Sequence, residues 1–132
     1  MTNCGHWRFF GDFDVDDSFG FVYLITNLKT GRKYLGKKQF HSYKKNKRFK
    51  ETDWRNYCGS SKELLADIKK IGKKNFLFQI LQVYKTRGGL VYGEANLQHK
   101  FNVLTERSGD EERIWYNKNI AGIKFIPKEY YS

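Results

Sequence analysis

Proline is nearly missing from this chain, with one in 132 residues. Disordered chains tend to be rich in it, so the composition, together with periodic apolar segments, points to a folded protein. Cysteine is also scarce. Only Cys4 and Cys58 are present, far apart in sequence, which excludes a dense disulfide framework. The N-terminal segment is polar, then acidic, and lacks a signal-peptide pattern. The expectation is therefore free thiols in a reducing, cytoplasmic setting. His6, His41 and His99 are scattered and make no zinc spacing with a cysteine. No apolar run approaches the roughly 18 residues that span a bilayer. Nor is there a lysine-rich amphipathic helix with an aromatic face, so no membrane partner is expected. Acids are outnumbered, 14 against 25 basic side chains.

What is there balances these absences. Aromatics make up 17% of the chain, and eleven Phe and nine Tyr can fill a small core although only 39% of residues are hydrophobic. The length suits one domain. A formal charge of +11 repels itself and is commonly tolerated when a polyanion is the partner. From Lys29 to Lys50 there are ten Lys or Arg and no acid. Residues 11 to 18 are acidic and turn-like. Asp12, Asp14 and Asp16 have the spacing of a calcium loop, but its glycine and flanking helices are missing.

Phe19 to Thr26 is rich in β-branched and aromatic residues and predicts a strand. Asn27 to Gly31 is turn chemistry, and Arg32 to Lys38 predicts a second strand, closing a hairpin centred on Leu28 and Lys29. The basic block that follows reads as a loop or a short polar helix. Ser60 and Glu63 form a capping-box pattern before Leu64, Ile68 and Ile71, and Gly72 can stop that helix. Asn75 to Tyr84 predicts a strand with Phe76, Phe78 and Ile80 on one face and Leu77, Leu81 and Val83 on the other. Arg87-Gly88-Gly89 reads as a break before a helix from about Leu90 to Leu104. Tyr116 to Ile126 reads as a terminal extended segment. The order suggests a small α/β or α+β domain with a mainly antiparallel sheet. We expect an N-terminal arm over 1–18, one domain over 19–126 and a tail over 127–132.

Three constellations could carry chemistry. In a hairpin centred on Leu28 and Lys29, Tyr23 and Tyr34 face each other, and Tyr34, Gly36 and Lys38 share a face. Such a pair either packs the sheet or lines a cleft. Glu94 lies in the apolar stripe Leu90, Leu97, Phe101 and Leu104, where a carboxylate needs a cation or a metal. Lys37, Lys38, Lys44, Lys45, Lys47, Arg48 and Lys50 are interleaved with Phe40, Tyr43 and Phe49, then followed by Trp54, Arg55 and Tyr57. That mixture is either a solvated face or a phosphate-binding surface.

Gly20-Phe21-Val22-Tyr23, Asn27, Gly31 and Lys33-Tyr34-Leu35-Gly36 resemble the signature of the GIY-YIG nuclease family. Residues 53 to 61, Asp-Trp-Arg-Asn-Tyr-Cys-Gly-Ser-Ser, then Gly72 and Asn75-Phe76, resemble a branch often encoded by bacteriophages. Glu94 and Tyr116-Asn117 fall where that family keeps a metal-binding glutamate and a late Tyr-Asn pair. The resemblance covers roughly 19–126. It implies an α+β domain with a three-stranded antiparallel sheet flanked by helices, and one divalent metal, Mg2+ or Mn2+, on Glu94. One of Tyr23 and Tyr34 would activate water and the other would orient it or the phosphate. Asn117 would support the glutamate or a phosphate, and Lys38 would be the lysine on Tyr34's face. The family's arginine has no match at its usual spacing, which leaves Arg48 and Arg55, the latter beside Tyr57. Lys37, Lys44, Lys45, Lys47 and Lys50 would hold DNA. Cations beside a phenol would favour the phenolate and make it a usable base. A phage-encoded homing or restriction-like DNA endonuclease is the function implied. Its site selection would come from the basic block, the N-terminal arm, a homodimer or DNA shape. Rivals are a non-catalytic nucleic-acid-binding module, a partner of an acidic protein, and an RNA nuclease.

Overall fold

The computed structural model describes residues 2–101 and 114–117. A three-stranded sheet of order β2-β1-β5 is built from β1 (Gly20–Asn27), β2 (Lys33–Gln39) and β5 (Phe76–Tyr84), with every neighbour antiparallel. A separate hairpin joins β3 (His41–Lys44) and β4 (Lys47–Glu51). Two helices complete the described fold, α1 (Lys62–Ile71) and α2 (Arg87–Lys100). The architecture is α+β, as the sequence implies.

Alternation along the strands sorts the core onto two faces. Phe21, Tyr23, Ile25, Phe78 and Ile80 join Leu64 of α1, Phe40, Trp54 and Trp7 in one cluster. Val22, Leu35 and, partly buried, Leu24 and Leu81 meet Leu90 and Leu97 of α2 in the other. Val83 departs from expectation. It pairs with Phe21 and packs with the first cluster. The register against β1 shifts at Leu81, and an extra residue in a strand of period two returns the next side chain to the opposite face.

The β1–β2 turn is longer than the expected centre allows. Asn27 Oδ1 accepts from Lys29 N at 3.0 Å and Thr30 N at 3.2 Å, and Gly31 takes φ +79°. The side chain thus mimics a backbone turn, and glycine supplies the left-handed residue. As a result Tyr23 pairs with Gly36, and Tyr34 pairs with Ile25. A shift by an even number keeps both phenols on one face while moving them out of direct opposition.

Three further expectations need correction. The basic block is a hairpin, not a loop or a helix, because Lys45 and Asn46 adopt φ 52° and 65° and make the tight turn that joins twisted strands. Ser61, not Ser60, caps α1, its hydroxyl accepting from Leu64 N at 3.2 Å. Arg87-Gly88-Gly89 opens α2 rather than breaking the chain, since Thr86 Oγ1 accepts from Gly89 N at 3.0 Å. The helix reaches Lys100, and Leu104 lies outside the described residues.

Both outer edges of the sheet are partly occupied. Arg8 bridges β5 in parallel, with Arg8 N donating to Phe78 O and Ile80 N to Arg8 O, each at 2.9 Å. Trp115 bridges β2 in parallel at Lys33, with Lys33 N donating to Ile114 O at 2.9 Å and Tyr116 N to Lys33 O at 2.7 Å. The remainder of the expected segment 116–126 lies outside the described residues.

Candidate active site

β1 is apolar on both faces, so the sheet is its only stable place, and Tyr23 is carried to the centre with 1% exposure. Its ring has room because Gly36 stands opposite. A Cβ on Gly36 would lie 2.5 Å from Tyr23 Oη. The Tyr34 ring centroid is 6.1 Å from that of Tyr23, and the Tyr57 centroid is also 6.1 Å away, edge-on at 82°. Tyr57 shares a hydrogen bond with the Tyr23 hydroxyl. Gly59, at φ +89°, closes the loop over both rings. Tyr34 Oη and Ser60 Oγ are 3.0 Å apart.

The cations come from both sides of β2. Lys38 shares Tyr34's face, as expected. Its Nζ lies 4.1 Å above the Tyr57 ring and 3.1 Å from Asp53 Oδ1. Lys37 points to the other face and meets Glu94 Oε1 at 3.1 Å. The stripe that carries Glu94 differs from the expected one. Leu90 is buried and Leu97 half-buried, whereas Phe101 is exposed. Gly93, beneath Tyr84, and Gln98 complete the buried face of α2. The Glu94 side chain keeps 13% exposure.

Electrostatics ties the two sides together. Burial pushes the Tyr23 phenol well above its ordinary value, and the neighbouring Tyr34, Tyr57 and Glu94 charges add to the rise. Burial raises Tyr34 as well. The Ser60 bond and Lys37 oppose that rise, while Tyr57 and Glu94 reinforce it. One carboxylate therefore acts on both phenols, and it is Lys37, not Lys38, whose charge favours the Tyr34 phenolate. The expectation that nearby cations would make a phenol a ready base is not met in the protein alone, because desolvation of the charged form outweighs them.

The other residues are distributed as follows. Asn117 is buried. Its Oδ1 accepts from Leu35 N at 3.0 Å, and its Nδ2 donates to Leu35 O at 2.7 Å. Gln98 Nε2 donates to the same carbonyl at 3.3 Å. The backbone between Tyr34 and Gly36 is thus held by two amide side chains. Gln98 was not singled out in the sequence, although it is a polar residue one helical turn beyond Glu94 on the same face. Ser60 was read as a cap and as part of the 53–61 motif, and Asp53 only as part of that motif. Neither arginine touches a phenol. Arg55 donates to Asn3 O at 2.8 Å, pairs with Glu51 at 2.9 Å and stacks on Trp54. Arg48 lies on β4, in strand rather than the expected loop or short helix, 4.0 Å from Asp16. Lys44, Lys45, Lys47 and Lys50 belong to the β3–β4 hairpin and its turn, a sheet separate from the one that carries Tyr23 and Tyr34.

Among the described residues no three acids, histidines or cysteines cluster as a metal cage. Glu94 is a single hard carboxylate at a partly open edge. That suits a magnesium-like ion, which binds through one or two carboxylates and completes its shell with water and substrate phosphate. No helix of the described residues is long and apolar enough to cross a membrane.

Comparison with known proteins places this arrangement. No solved structure matches the chain. A protein of Enterobacteria phage T4 named "Putative endonuclease segE" is 43% identical over 107 residues, 80% of this chain and 43% of that protein. The chain therefore spans less than half the length of the curated relative it matches. The GIY-YIG domain family described under that same name matches residues 6–120. Matched over most of its length, with its paired tyrosines on one face of a β1–β2 hairpin, the chain belongs to the GIY-YIG domain family of the segE type.

Proposed function

We propose that the protein is a DNA endonuclease that hydrolyses phosphodiester bonds with the help of one divalent cation. One observation carries the reading. Two phenols 6.1 Å apart stand at Gly36 of β2, and the next residue on that strand, Lys37, pairs with the Glu94 carboxylate at 3.1 Å. Membership of an endonuclease-named family and the +11 charge support it. Hydrolysis needs a deprotonated water in line with the leaving oxygen and charge neutralisation on the phosphoryl group. A Mg2+ or Mn2+ held by Glu94 would supply that neutralisation at the phosphoryl and departing 3′ oxygens.

The two tyrosines take different tasks. Tyr23, buried and hydrogen-bonded to Tyr57, keeps its proton and orients by donation. Tyr34 is less buried, is bonded to Ser60 and is the phenol that Lys37 favours as a phenolate. It is the better acceptor for the water's proton. Lys37 and Lys38 hold the phosphate from the two sides of β2, and the amides of Gln98 and Asn117 fix the intervening backbone.

The test is cleavage of supercoiled plasmid by the full chain with and without Mg2+. We expect Glu94→Ala to abolish cutting and retain DNA binding. Tyr34→Phe should remove the acceptor, a loss of about 10²–10⁴-fold, with Tyr23→Phe losing less. Because burial raises Tyr34, the rate should climb with pH across the neutral range as phenolate accumulates, and that limb should vanish in Tyr34→Phe. Full activity in Glu94→Ala would overturn the reading.

A further inference from the structure

The β3–β4 hairpin is the part of the described fold that the phenol site does not use. Its base is fixed to the body of the protein. His41 is buried, Tyr43 stacks on Phe19 with centroids 5.5 Å apart, and Thr52 N and Thr52 Oγ1 donate to Phe40 O and Gln39 O, each at 2.8 Å. Register then decides the faces. Arg48 pairs with Tyr43, so it shares the inward face and reaches Asp16. Ser42 pairs with Lys50 and Lys44 pairs with Lys47, so three lysines share the outward face.

Phe49 sits at the register shift between those pairs. Its ring lies 4.0 Å from Lys44 Nζ and 5.8 Å from Lys50 Nζ, yet the residue keeps 47% exposure. All of β4 is exposed. Among the described residues none of Lys44, Lys45, Lys47 and Lys50 forms an ion pair, although the chain pairs Lys37, Lys38 and Lys85 elsewhere. The ribbon presents three hydrated ammonium groups, none paired with an acid among the described residues, around an exposed aromatic ring. It is complementary to a partner with anionic walls and an apolar floor.

The major groove of duplex DNA has that form. It is about 12 Å wide, admits a two-stranded ribbon, and presents phosphates along its rims and base edges, including thymine methyl groups, along its floor. The major groove of duplex RNA is too deep and narrow for such an element. We propose that the β3–β4 ribbon lies in the major groove of duplex DNA, with Lys44, Lys47 and Lys50 on backbone phosphates and Phe49 against base edges. The proposal rests on DNA being the substrate. It assigns the contact that holds the duplex while the phenol site acts on it.

The experiment uses the full chain carrying Glu94→Gln, so that bound duplex is not cut, with and without Lys44→Gln, Lys47→Gln and Lys50→Gln together. Affinity for a defined duplex is measured against salt, and methylation by dimethyl sulfate reports guanine N7 in the major groove and adenine N3 in the minor groove. Three phosphate contacts predict that the triple variant lowers the slope of log K on log salt by about 2.7 and loses the guanine N7 protections. Phe49→Ala should weaken binding at an unchanged slope. These side chains are exposed, so thermal midpoints should match the parent's. If the parent chain fails to bind duplex DNA, the proposed function itself is overturned. If it binds, but the triple variant keeps both slope and N7 protection, or if only adenine N3 is protected, the ribbon proposal alone is overturned.

Discussion

A glycine decides how deep the first phenol can sit. The missing side chain of Gly36 is the space that Tyr23 Oη occupies, and the backbone there is held by Asn117 and Gln98 through Leu35. Gly36→Ala therefore cannot be absorbed by moving the strand. Overpacking of this kind typically costs about 1–3 kcal/mol. We expect a lower urea midpoint and a displaced Tyr23 ring, visible as a changed near-ultraviolet tyrosine signal. An unchanged midpoint would show that the ring yields freely. The sequence offered part of this. Alternation puts Tyr34 and Gly36 on one face, but the partner of Gly36 depends on the turn. The partners of the two phenols, Ser60 and Tyr57, come from a distant loop whose path no periodicity reveals.

Elements with a clean period were legible, and those without were not. β1 and β5 are runs of apolar, β-branched and aromatic residues and α1 repeats its apolar residues near 3.6, and the structure places them within a few residues of expectation. β3 and β4 are hidden because charged residues fill a ribbon that buries little, and their turn uses Lys-Asn where Asn-Gly is the usual signal. The face of Val83 was misread because a register shift has no composition of its own. The β1–β2 turn yields a prediction at this scale. Asn27 is fully buried, and its Nδ2 donates to Tyr116 Oη at 3.1 Å, whose own hydroxyl donates to Asp67 at 2.7 Å. Burial first, then the Asp67 contact, push the Tyr116 phenol up to about 12, so it remains a donor. Asn27→Ala loses the turn acceptor and the tie to Tyr116 together and should cost about 1–3 kcal/mol. Chemical denaturation measures it, and a change below about 0.5 kcal/mol would mean that the turn is held by its backbone bonds alone.

Across the whole molecule, stability should depend on pH through the N-terminal segment. His6 stacks on Phe78 at 3.9 Å, and its Nε2 lies 2.9 Å from Tyr57 O. Burial lowers its pKa from 6.5 to about 4, helped by the Lys73 charge and opposed by the Tyr57 carbonyl. A folded value below the unfolded one means that the fold favours the neutral ring. The associated stability is complete above pH 6.5 and is lost as pH falls from there through about 4. Allowing for solvent screening of a half-exposed ring, the loss is about 1–2 kcal/mol. His6→Gln does not titrate there, so acidification from pH 7 to pH 4.5 should lower its thermal midpoint less than the parent's. Equal losses would remove His6 from the account. The occupied sheet borders carry a last consequence. With Arg8 already bonded along β5 and Trp115 along β2, strand addition by another polypeptide, whether a second copy or an extended peptide, has no vacant ladder at those positions. At those two places, contact with a second copy must therefore run through side-chain fit and charge repulsion rather than through backbone templating.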